Sequence, residues 1–205
     1  MGYTTDFEGK LTLSKPLSMS QFEYINKLAE TRRMKRDVNV LMKLYDGKYG
    51  YPGTSKETNT PEEIYGNEGE YFVGGLGSFG QTSDKSVIDN NTPPGQLGFN
   101  DGDFNKRWDE NERRIKNGEC QPGLWCKWEV TGDENGMTLQ WDGAEKFYNY
   151  IEWLQYLINH FFSKWGVLLN GEINWFGEDR SDVGKIIVND NVVTVKEGKI
   201  VFEEQ

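Results

Sequence analysis

The clearest candidate for binding chemistry is a basic cluster within an acidic chain. The cluster consists of Arg32, Arg33, Lys35 and Arg36. Guanidinium groups bind phosphate and carboxylate through forked hydrogen bonds, so these residues predict a site for a nucleotide or an acidic partner. Cations at the end of a helix also complement the helix dipole, and a helix is predicted to end at this point. Both interpretations stay open.

A glycine-rich segment at residues 74–80 is the second candidate. Successive backbone N–H groups can cradle a phosphate, and here they belong to Gly74, Gly75, Gly77 and Ser78. The segment matches neither the Walker motif nor the dinucleotide fingerprint, and glycines also occur in ordinary bulges and turns. An aromatic residue, Trp125 or Tyr71, would stack on the base of a bound nucleotide.

Titratable groups elsewhere form weaker patterns. Carboxylates that could ligate Mg²⁺ or Ca²⁺, or act as an acid and base pair, are Glu172, Glu178, Asp179 and Asp182. They are equally typical of a solvated turn between strands. The single histidine, His160, and the two cysteines are too few for a structural zinc site of the usual kind. We therefore expect no metal and no cofactor, and we assign no catalytic residue.

The seven tryptophans of the chain all lie within residues 108–175. Large aromatic side chains dominate the energetics of cores and binding surfaces, so the rigid part is predicted to lie in the second half. Strand alternation would place Cys126 and Trp128 on one sheet face and Trp125 on the other. Because one face must cover a helix, some of these tryptophans are expected to belong to the core.

Periodicity and turn signals predict the elements that position these residues. The capping-box pattern from Ser20 to Glu23 predicts a first helix over residues 20–33. Apolar residues spaced three and four apart predict a long amphipathic helix between Phe147 and Trp165, ended by Gly166. Strands are predicted at residues 70–73, 86–89, 123–130, 137–141, 167–176, 184–188, 192–195 and 199–202.

These elements predict a single α+β domain over residues 1–205. A mainly antiparallel sheet packs on the one long amphipathic helix, with a shorter N-terminal helix and long loops. The domain divides into a helical, loop-rich part over residues 1–119 and a compact, aromatic-rich part over residues 120–205. The polar stretches at residues 46–69 and 97–119 are expected to be mobile surface loops.

Composition argues against several classes of protein. The 205 residues carry a formal net charge of -10, whereas broad nucleic-acid binding requires a field of Lys and Arg. No apolar stretch approaches the length of a membrane span, so we expect no membrane attachment. The N-terminus lacks the pattern of a signal peptide, and the expected location is the cytoplasm.

Several phrases of the chain are distinctive as sequence. They are MGYTTDF at residues 1–7, TRRMKR at 31–36, YFVGG at 71–75, QPGLWC at 121–126 and WDGAEKFYNY at 141–150. Together they resemble a family of small uncharacterised proteins of bacteria and bacteriophages, and the resemblance covers most of the chain. It implies no activity, cofactor or site residue. In the family pattern the Pro-Pro near residue 93 is followed almost directly by the QPGLWC phrase, so residues 97–120 resemble an insertion.

From these observations we expect a non-enzymatic binding protein whose ligand is a small anion, namely a nucleotide or a nucleotide-derived signal. The resemblance to phage proteins adds the hypothesis of a counter-defence role in the host cytoplasm. Two alternatives stay open. One is a protein-interaction module or inhibitor that binds a host protein, and the other is a carboxylate-dependent enzyme acting on a nucleotide or sugar. A homo-oligomer is compatible with each of them.

Overall fold

The structure is a computed structural model that describes residues 2–74, 84–96 and 120–199. These residues form an α+β fold in which helices pack on one face of a six-stranded antiparallel sheet. The strands are β1 (Thr5–Leu13), β2 (Lys35–Arg36), β3 (Val87–Asp89), β4 (Trp128–Asp133), β5 (Gly136–Trp141), β6 (Leu169–Gly177), β7 (Val183–Asn189) and β8 (Val192–Glu197). The helices are α1 (Met19–Glu30), α2 (Val38–Tyr45), α3 (Pro61–Tyr65) and α4 (Tyr150–Leu157), with a 3₁₀ turn at Asn67–Gly69 and a π turn at Ile158–Phe162.

Strand β1 lies in the middle of the sheet, whose order is β4-β5-β1-β6-β7-β8. It pairs with β5 on one side and with β6 on the other. Its residues Phe7, Leu11 and Leu13 are buried, but Gly9 interrupts the apolar alternation. The sequence pattern did not predict this strand, because a broken alternation lacks the two-residue period on which such a prediction depends.

The main core lies between the sheet and helices α1 and α4. The sheet contributes the alternate residues of its strands, including Trp128, Val130, Leu139, Leu169, Ile173 and Ile186. The helices contribute Tyr24, Ile25, Leu28, Trp153, Leu154, Tyr156 and Leu157. The expectation that tryptophans from the second half belong to the core is confirmed, since Trp128 and Trp153 are fully buried.

Helix α1 begins and ends earlier than the sequence pattern predicts. Its N-cap is Ser18, whose hydroxyl accepts from the Gln21 N–H while the Gln21 side chain accepts from the Ser18 N–H. The predicted capping box at Ser20 is therefore wrong by two residues, because glutamine serves as well as glutamate in this motif. The helix ends at Glu30 rather than at Arg33.

The predicted long amphipathic helix is shorter than its apolar pattern. Helix α4 begins only after Asn149, whose φ of 54° is left-handed. Eight α-helical residues then lead into a five-residue π turn, while α1 has 12 residues. Two helices of similar length thus cover the sheet. The predicted apolar stripe is largely confirmed, with Ile151 partly buried and the others buried, namely Phe147, Leu154, Ile158 and Phe161.

The predicted hairpin is confirmed, but its first strand begins at Trp128 rather than at residue 123 and continues to Asp133, so the turn is shorter than predicted. The C-terminal strands are confirmed with small shifts of their ends. Strands β4 and β5 pair directly, with Glu134 and Asn135 between them. Strands β6, β7 and β8 correspond to the predictions at residues 167–176, 184–188 and 192–195. Most of the strand predicted at residues 199–202 lies outside the described residues, as does the predicted loop at 97–119.

Residues 46–69 contain more structure than the predicted surface loop. Helix α3 begins after a capping box formed by Thr60 and Glu63, and its Ile64 and Tyr65 are fully buried. These two residues join a second, smaller core with Val38, Leu41 and Phe72. The strand predicted at residues 70–73 is wrong, because Glu70 and Tyr71 lie in a turn and the carbonyl oxygens of Glu70 and Phe72 accept from the Arg33 side chain instead of a strand partner.

Candidate functional site

Arg33 of the basic cluster lies inside the protein and is only 2% exposed. Its guanidinium donates to the backbone carbonyl oxygens of Phe72 (2.5 Å) and Glu70 (2.7 Å) and to Oε1 of Gln121 (3.0 Å). Burial lowers the pKa of Arg33 from its usual value. With its donors used in this way, Arg33 holds residues 70–73 in place and is not positioned to receive a ligand.

Arg36 is buried as well, and strand β2 carries it into the interior. Its Nη1 donates to Oδ2 of Asp84 (2.9 Å) and to Oγ of Ser86 (2.8 Å). Burial alone would raise the pKa of Asp84, but the hydrogen bonds from Ser86 and the charge of Arg36 outweigh it and lower that pKa. The guanidinium also lies over the ring of Phe72, 4.7 Å from its centre. Arg36 therefore joins the smaller core to strand β3.

Lys35 and Arg32 complete the cluster. Lys35 is 5% exposed, and its Nζ lies 3.3 Å from Oε1 of Glu68. Arg32 is partly exposed and donates through Nη2 to the carbonyl oxygen of Asn90 (2.9 Å), while its Nε has no partner among the described residues. The predicted position of the cluster at the end of the first helix is wrong, since α1 ends at Glu30 and Arg33, Lys35 and Arg36 are buried beyond it.

The structure brings the basic cluster close to the segments that contain Tyr71 and Trp125. The hydrogen bonds that join them end on main-chain carbonyl oxygens. The N–H of Arg33 donates to the carbonyl oxygen of Leu124 (2.9 Å), and the Thr31 hydroxyl donates to that of Val73 (2.7 Å). Of the other predicted site residues, Tyr71 is half-buried, Gly74 is buried and Trp125 is 36% exposed. Gly75, Gly77 and Ser78 lie outside the described residues.

A groove of about 700 Å³ opens between α1 and residues 46–57. We call it the tyrosine groove. Aromatic and aliphatic residues line its inner part, namely Tyr24, Tyr49, Tyr51 and Val73. Charged side chains line its outer part, namely Glu23, Lys27, Asp46, Lys48, Lys56 and Glu57. Its volume lies in the range of pockets that bind small molecules.

The backbone of residues 46–53 bends sharply to form one wall of the groove. Asp46 and Tyr49 have φ angles of 56° and 63°, and Gly47 and Gly53 have 78° and 87°. A left-handed conformation is costly for a bulky aromatic residue, and such strain is concentrated at functional sites. Hydrogen bonds hold the loop, since Tyr51 N–H donates to the Ile64 carbonyl oxygen and Val73 N–H to that of Tyr49.

Two tyrosine rings of the groove, Tyr24 and Tyr51, are held by hydrogen bonds from their hydroxyl groups. The Tyr24 hydroxyl donates to the carbonyl oxygen of Tyr71 (2.9 Å) and that of Tyr51 to the carbonyl oxygen of His160 (3.3 Å). Burial raises the pKa of both Tyr24 and Tyr51, so both are neutral at pH 7. They present ring surface to the groove and keep their polar ends occupied.

The three lysines at the groove are neutralised to different extents. Lys56 Nζ lies 2.6 Å from the Asp46 carboxylate, and this hydrogen bond raises the pKa of Lys56. Lys27 is 4.0 Å from Glu23, at the outer limit of an ion pair. Lys48 is exposed and forms no ion pair with any residue that the structure describes. Lys48 is therefore the lysine of the groove whose ammonium group is not engaged in an ion pair with a described residue, although the three lysines and three acids of the lining balance in formal charge.

Lys48, Tyr49 and Tyr51 were missed by the sequence analysis because their segment was interpreted only as a loop. The available signal was the alternation of aromatic residues with glycine in DGKYGYPG at residues 46–53. Glycine permits sharp turns, and closely spaced turns can direct neighbouring aromatic rings to one side. The contribution of α1 to the groove could not be inferred, since it depends on packing.

The remaining sequence candidates have structural partners. Asp182 accepts hydrogen bonds from the Tyr3 hydroxyl (2.7 Å) and from Trp175 Nε1 (3.0 Å), and Glu178 accepts from the N–H of Thr4 (2.7 Å). These contacts attach the N-terminus to the turn between β6 and β7. Glu172 pairs with Lys185 across strands. Within residues 2–74, 84–96 and 120–199, no cluster of acidic, histidine or cysteine side chains could hold a metal ion.

His160 lies in the π turn and packs among aromatic rings. Its ring stacks on Tyr156 with centroids 4.1 Å apart, and Nδ1 is 3.3 Å from the Tyr71 hydroxyl.

Among the described residues, no helix is both long enough and apolar enough to span a membrane. No protein-family model, curated protein or solved structure matches the chain.

Proposed function

We propose that the protein binds a small anionic ligand carrying a flat ring, of the nucleotide or nucleotide-derived class, in the tyrosine groove. The observation that carries this proposal is that the exposed Lys48 lines the same cavity as Tyr49 and Tyr51. A base stacks on an aromatic ring, and an ammonium group binds the phosphate as a point charge. The groove supplies both within one cavity of about 700 Å³.

In this proposal the basic cluster has a supporting role. Arg33 holds the carbonyl oxygens at residues 70 and 72, and Val73 follows directly in the wall of the groove. The glycine-rich segment starts at Gly74, at this end of the groove. A groove whose walls are already fixed loses little conformational entropy when a ligand binds, so rigidity favours affinity.

Calorimetric titration with three related ligands tests the proposal. The ligands are adenosine 5′-monophosphate, adenosine without its phosphate, and ribose 5-phosphate without its base. We expect the nucleotide to bind most tightly, because it alone uses both the rings and Lys48. Equal affinity for the nucleotide and for adenosine would show that the charge plays no part. Guanosine and uridine monophosphates extend the comparison to other bases.

A lysine pair provides the matched control. Lys48→Ala should weaken nucleotide binding about fivefold, which corresponds to roughly 1 kcal/mol for an exposed ion pair, and leave adenosine binding unchanged. Lys43→Ala removes the same charge from an exposed position on α2 outside the groove and should change neither affinity. If Lys43→Ala weakens nucleotide binding as much as Lys48→Ala does, the effect comes from the net charge of the protein and the assignment of the ligand to the groove fails.

A further inference from the structure

A second groove of about 430 Å³ lies on another part of the surface. It runs between the segment that leads into α1 and the turn joining β4 to β5. We call it the methionine groove, and its apolar lining consists of Pro16, Leu17, Met19, Phe22 and Met137. It uses Met19 and Phe22 of α1, whereas the tyrosine groove uses Ser20, Glu23, Tyr24 and Lys27. The two grooves therefore have no lining residue in common.

The apolar lining of the methionine groove combines buried and exposed side chains. Leu17 and Met137 are buried, whereas Met19 is 71% exposed. The buried N–H of Leu17 donates to Sδ of Met137 at 3.3 Å, and a thioether is a weak acceptor. Unbranched methionine side chains can rearrange around different apolar groups, and they are common at surfaces that bind partner proteins.

The charged residues in the lining of the methionine groove are both negative. They are Asp133 and Glu134, and no Lys or Arg from the part of the chain that the structure describes lines the groove. The Asp133 side chain accepts a hydrogen bond from the Asn135 N–H, and neither acid forms an ion pair with a described residue.

We propose that the methionine groove docks a segment of a partner protein that presents a large apolar side chain flanked by Lys or Arg. The apolar side chain would fill the cavity between Phe22 and Met137, and the basic residues would lie beside Asp133 and Glu134. Charge complementarity of this kind selects the partner and accelerates association. A second copy of the chain fits less well, because each copy carries a net charge of -10 and would repel the other.

The test is a titration with three synthetic hexapeptides, followed through the methyl signals of ¹³C-labelled methionine in the full chain. One peptide has a leucine-phenylalanine centre flanked by lysines, the second has the same centre flanked by glutamates, and the third keeps the lysines around a serine-glycine centre. We expect saturable shifts of Met19 and Met137 with the first peptide only. Met34, which is 2% exposed, is the internal reference and should not shift.

A charge-reversal pair completes the test. Glu134→Lys should lower the affinity for the lysine-flanked peptide about fivefold or more, because it replaces an attraction between charges by a repulsion. Glu145→Lys makes the same change of charge at an exposed position outside the groove and should leave the affinity unchanged. Equal binding of the glutamate-flanked peptide, no saturable shift at millimolar peptide, or equal effects of the two variants would each overturn the proposal. Concentration-dependent shifts without peptide would show self-association and overturn it in favour of a second copy.

Discussion

At the scale of single residues, the arginines show how chemistry alone can mislead. A guanidinium suited to phosphate is equally suited to backbone carbonyl groups, since both offer oxygen acceptors to its five N–H donors. Arg33 binds two carbonyl oxygens and one side-chain amide oxygen, and Arg36 pairs with Asp84. The segment around residues 70–73 has no regular backbone pairing of its own, so these side chains take the place of a strand partner.

Replacing Arg33 by alanine should therefore destabilise the protein strongly. The change removes the Arg33 donors to the Phe72 carbonyl oxygen and to Oε1 of Gln121, leaves the Glu70 carbonyl oxygen with Nε2 of Gln121 as its donor, and opens a cavity. We therefore expect a loss of more than about 3 kcal/mol. Arg32→Ala, at the neighbouring and partly exposed position, should cost less than about 1 kcal/mol. Denaturant unfolding of the two variants makes the comparison. Similar midpoints for Arg33→Ala and the parent would contradict the buried assignment.

The pKa of Glu70 predicts how the stability of the protein depends on pH. Burial raises the pKa of its carboxyl group, while the Tyr71 hydroxyl and the charges of Lys164 and Arg33 act in the opposite direction and only reduce the shift. A raised folded-state pKa means that the ionised form is destabilised in the folded protein. The resulting loss of stability is complete above the folded pKa and disappears as the pH falls through it towards the ordinary value.

The variant Glu70→Gln removes this penalty while keeping the shape of the side chain. We expect its melting temperature to exceed that of the parent at pH 7, and the difference to vanish below about pH 4. Thermal melts at a series of pH values measure both limits. Glu57→Gln, at an exposed position, is the matched control and should change little. A lower melting temperature for Glu70→Gln at neutral pH would mean that the ionised carboxylate is stabilising.

At the scale of elements, the length of helix α4 depends on packing more than on its own apolar spacing. The apolar spacing extends from Phe147 to Trp165, but regular α-helix occupies only Tyr150–Leu157 before the π turn. In that turn the Ser163 N–H donates to the carbonyl oxygen of Ile158, five residues back. An extra residue in one turn rotates the apolar face, and Ile158, Phe161 and Phe162 are all buried as a result.

Truncating one residue of this helix tests its role in the core. Leu154 is fully buried, and Leu154→Ala should destabilise the protein by about 2 to 5 kcal/mol, as expected for a cavity in a packed interior. Asn159→Ala, at an exposed position in the adjoining π turn, should change stability by less than about 0.5 kcal/mol. Thermal and denaturant melts provide the measurement. An unchanged midpoint for Leu154→Ala would remove this helix from the core.

At the scale of the whole molecule, the central position of β1 joins the two ends of the chain. Leu11 lies opposite Leu139 of β5 and opposite Gly171 of β6. The six-stranded sheet is therefore complete only when the N-terminus inserts between strands from the second half. Pairing between residues so distant in sequence has a high entropic cost, which the burial of both sheet and helices must offset.

A fragment containing only residues 120–205 should therefore fail to fold cooperatively, although it carries every tryptophan of the main core. It lacks β1, so β5 and β6 lose their common partner, and it lacks α1, which covers part of the sheet. We expect a broad, weak thermal transition by circular dichroism, against a sharp one for the full chain. A sharp cooperative transition in the fragment would show that the second half is a domain by itself.

The sequence by itself determined the elements whose signals are local. The hairpin of β4 and β5, the strands β6 to β8 and the approximate position of α1 follow from alternation, helical spacing and turn residues within short windows. The apolar stripe of α4 was recognisable for the same reason. These features depend on contacts between near neighbours in the chain, which residue types and spacing encode directly.

Only the tertiary structure decided where the arginine side chains and strand β1 lie. Whether Arg33 faces solvent or a set of carbonyl oxygens depends on residues 70–72 and on Gln121, which are distant in sequence. The same holds for β1, whose broken alternation becomes a central strand through partners on both sides. The tyrosine groove exists because α1 packs against residues 46–57. Burial and long-range pairing are properties of the assembled chain, and no local pattern contains them.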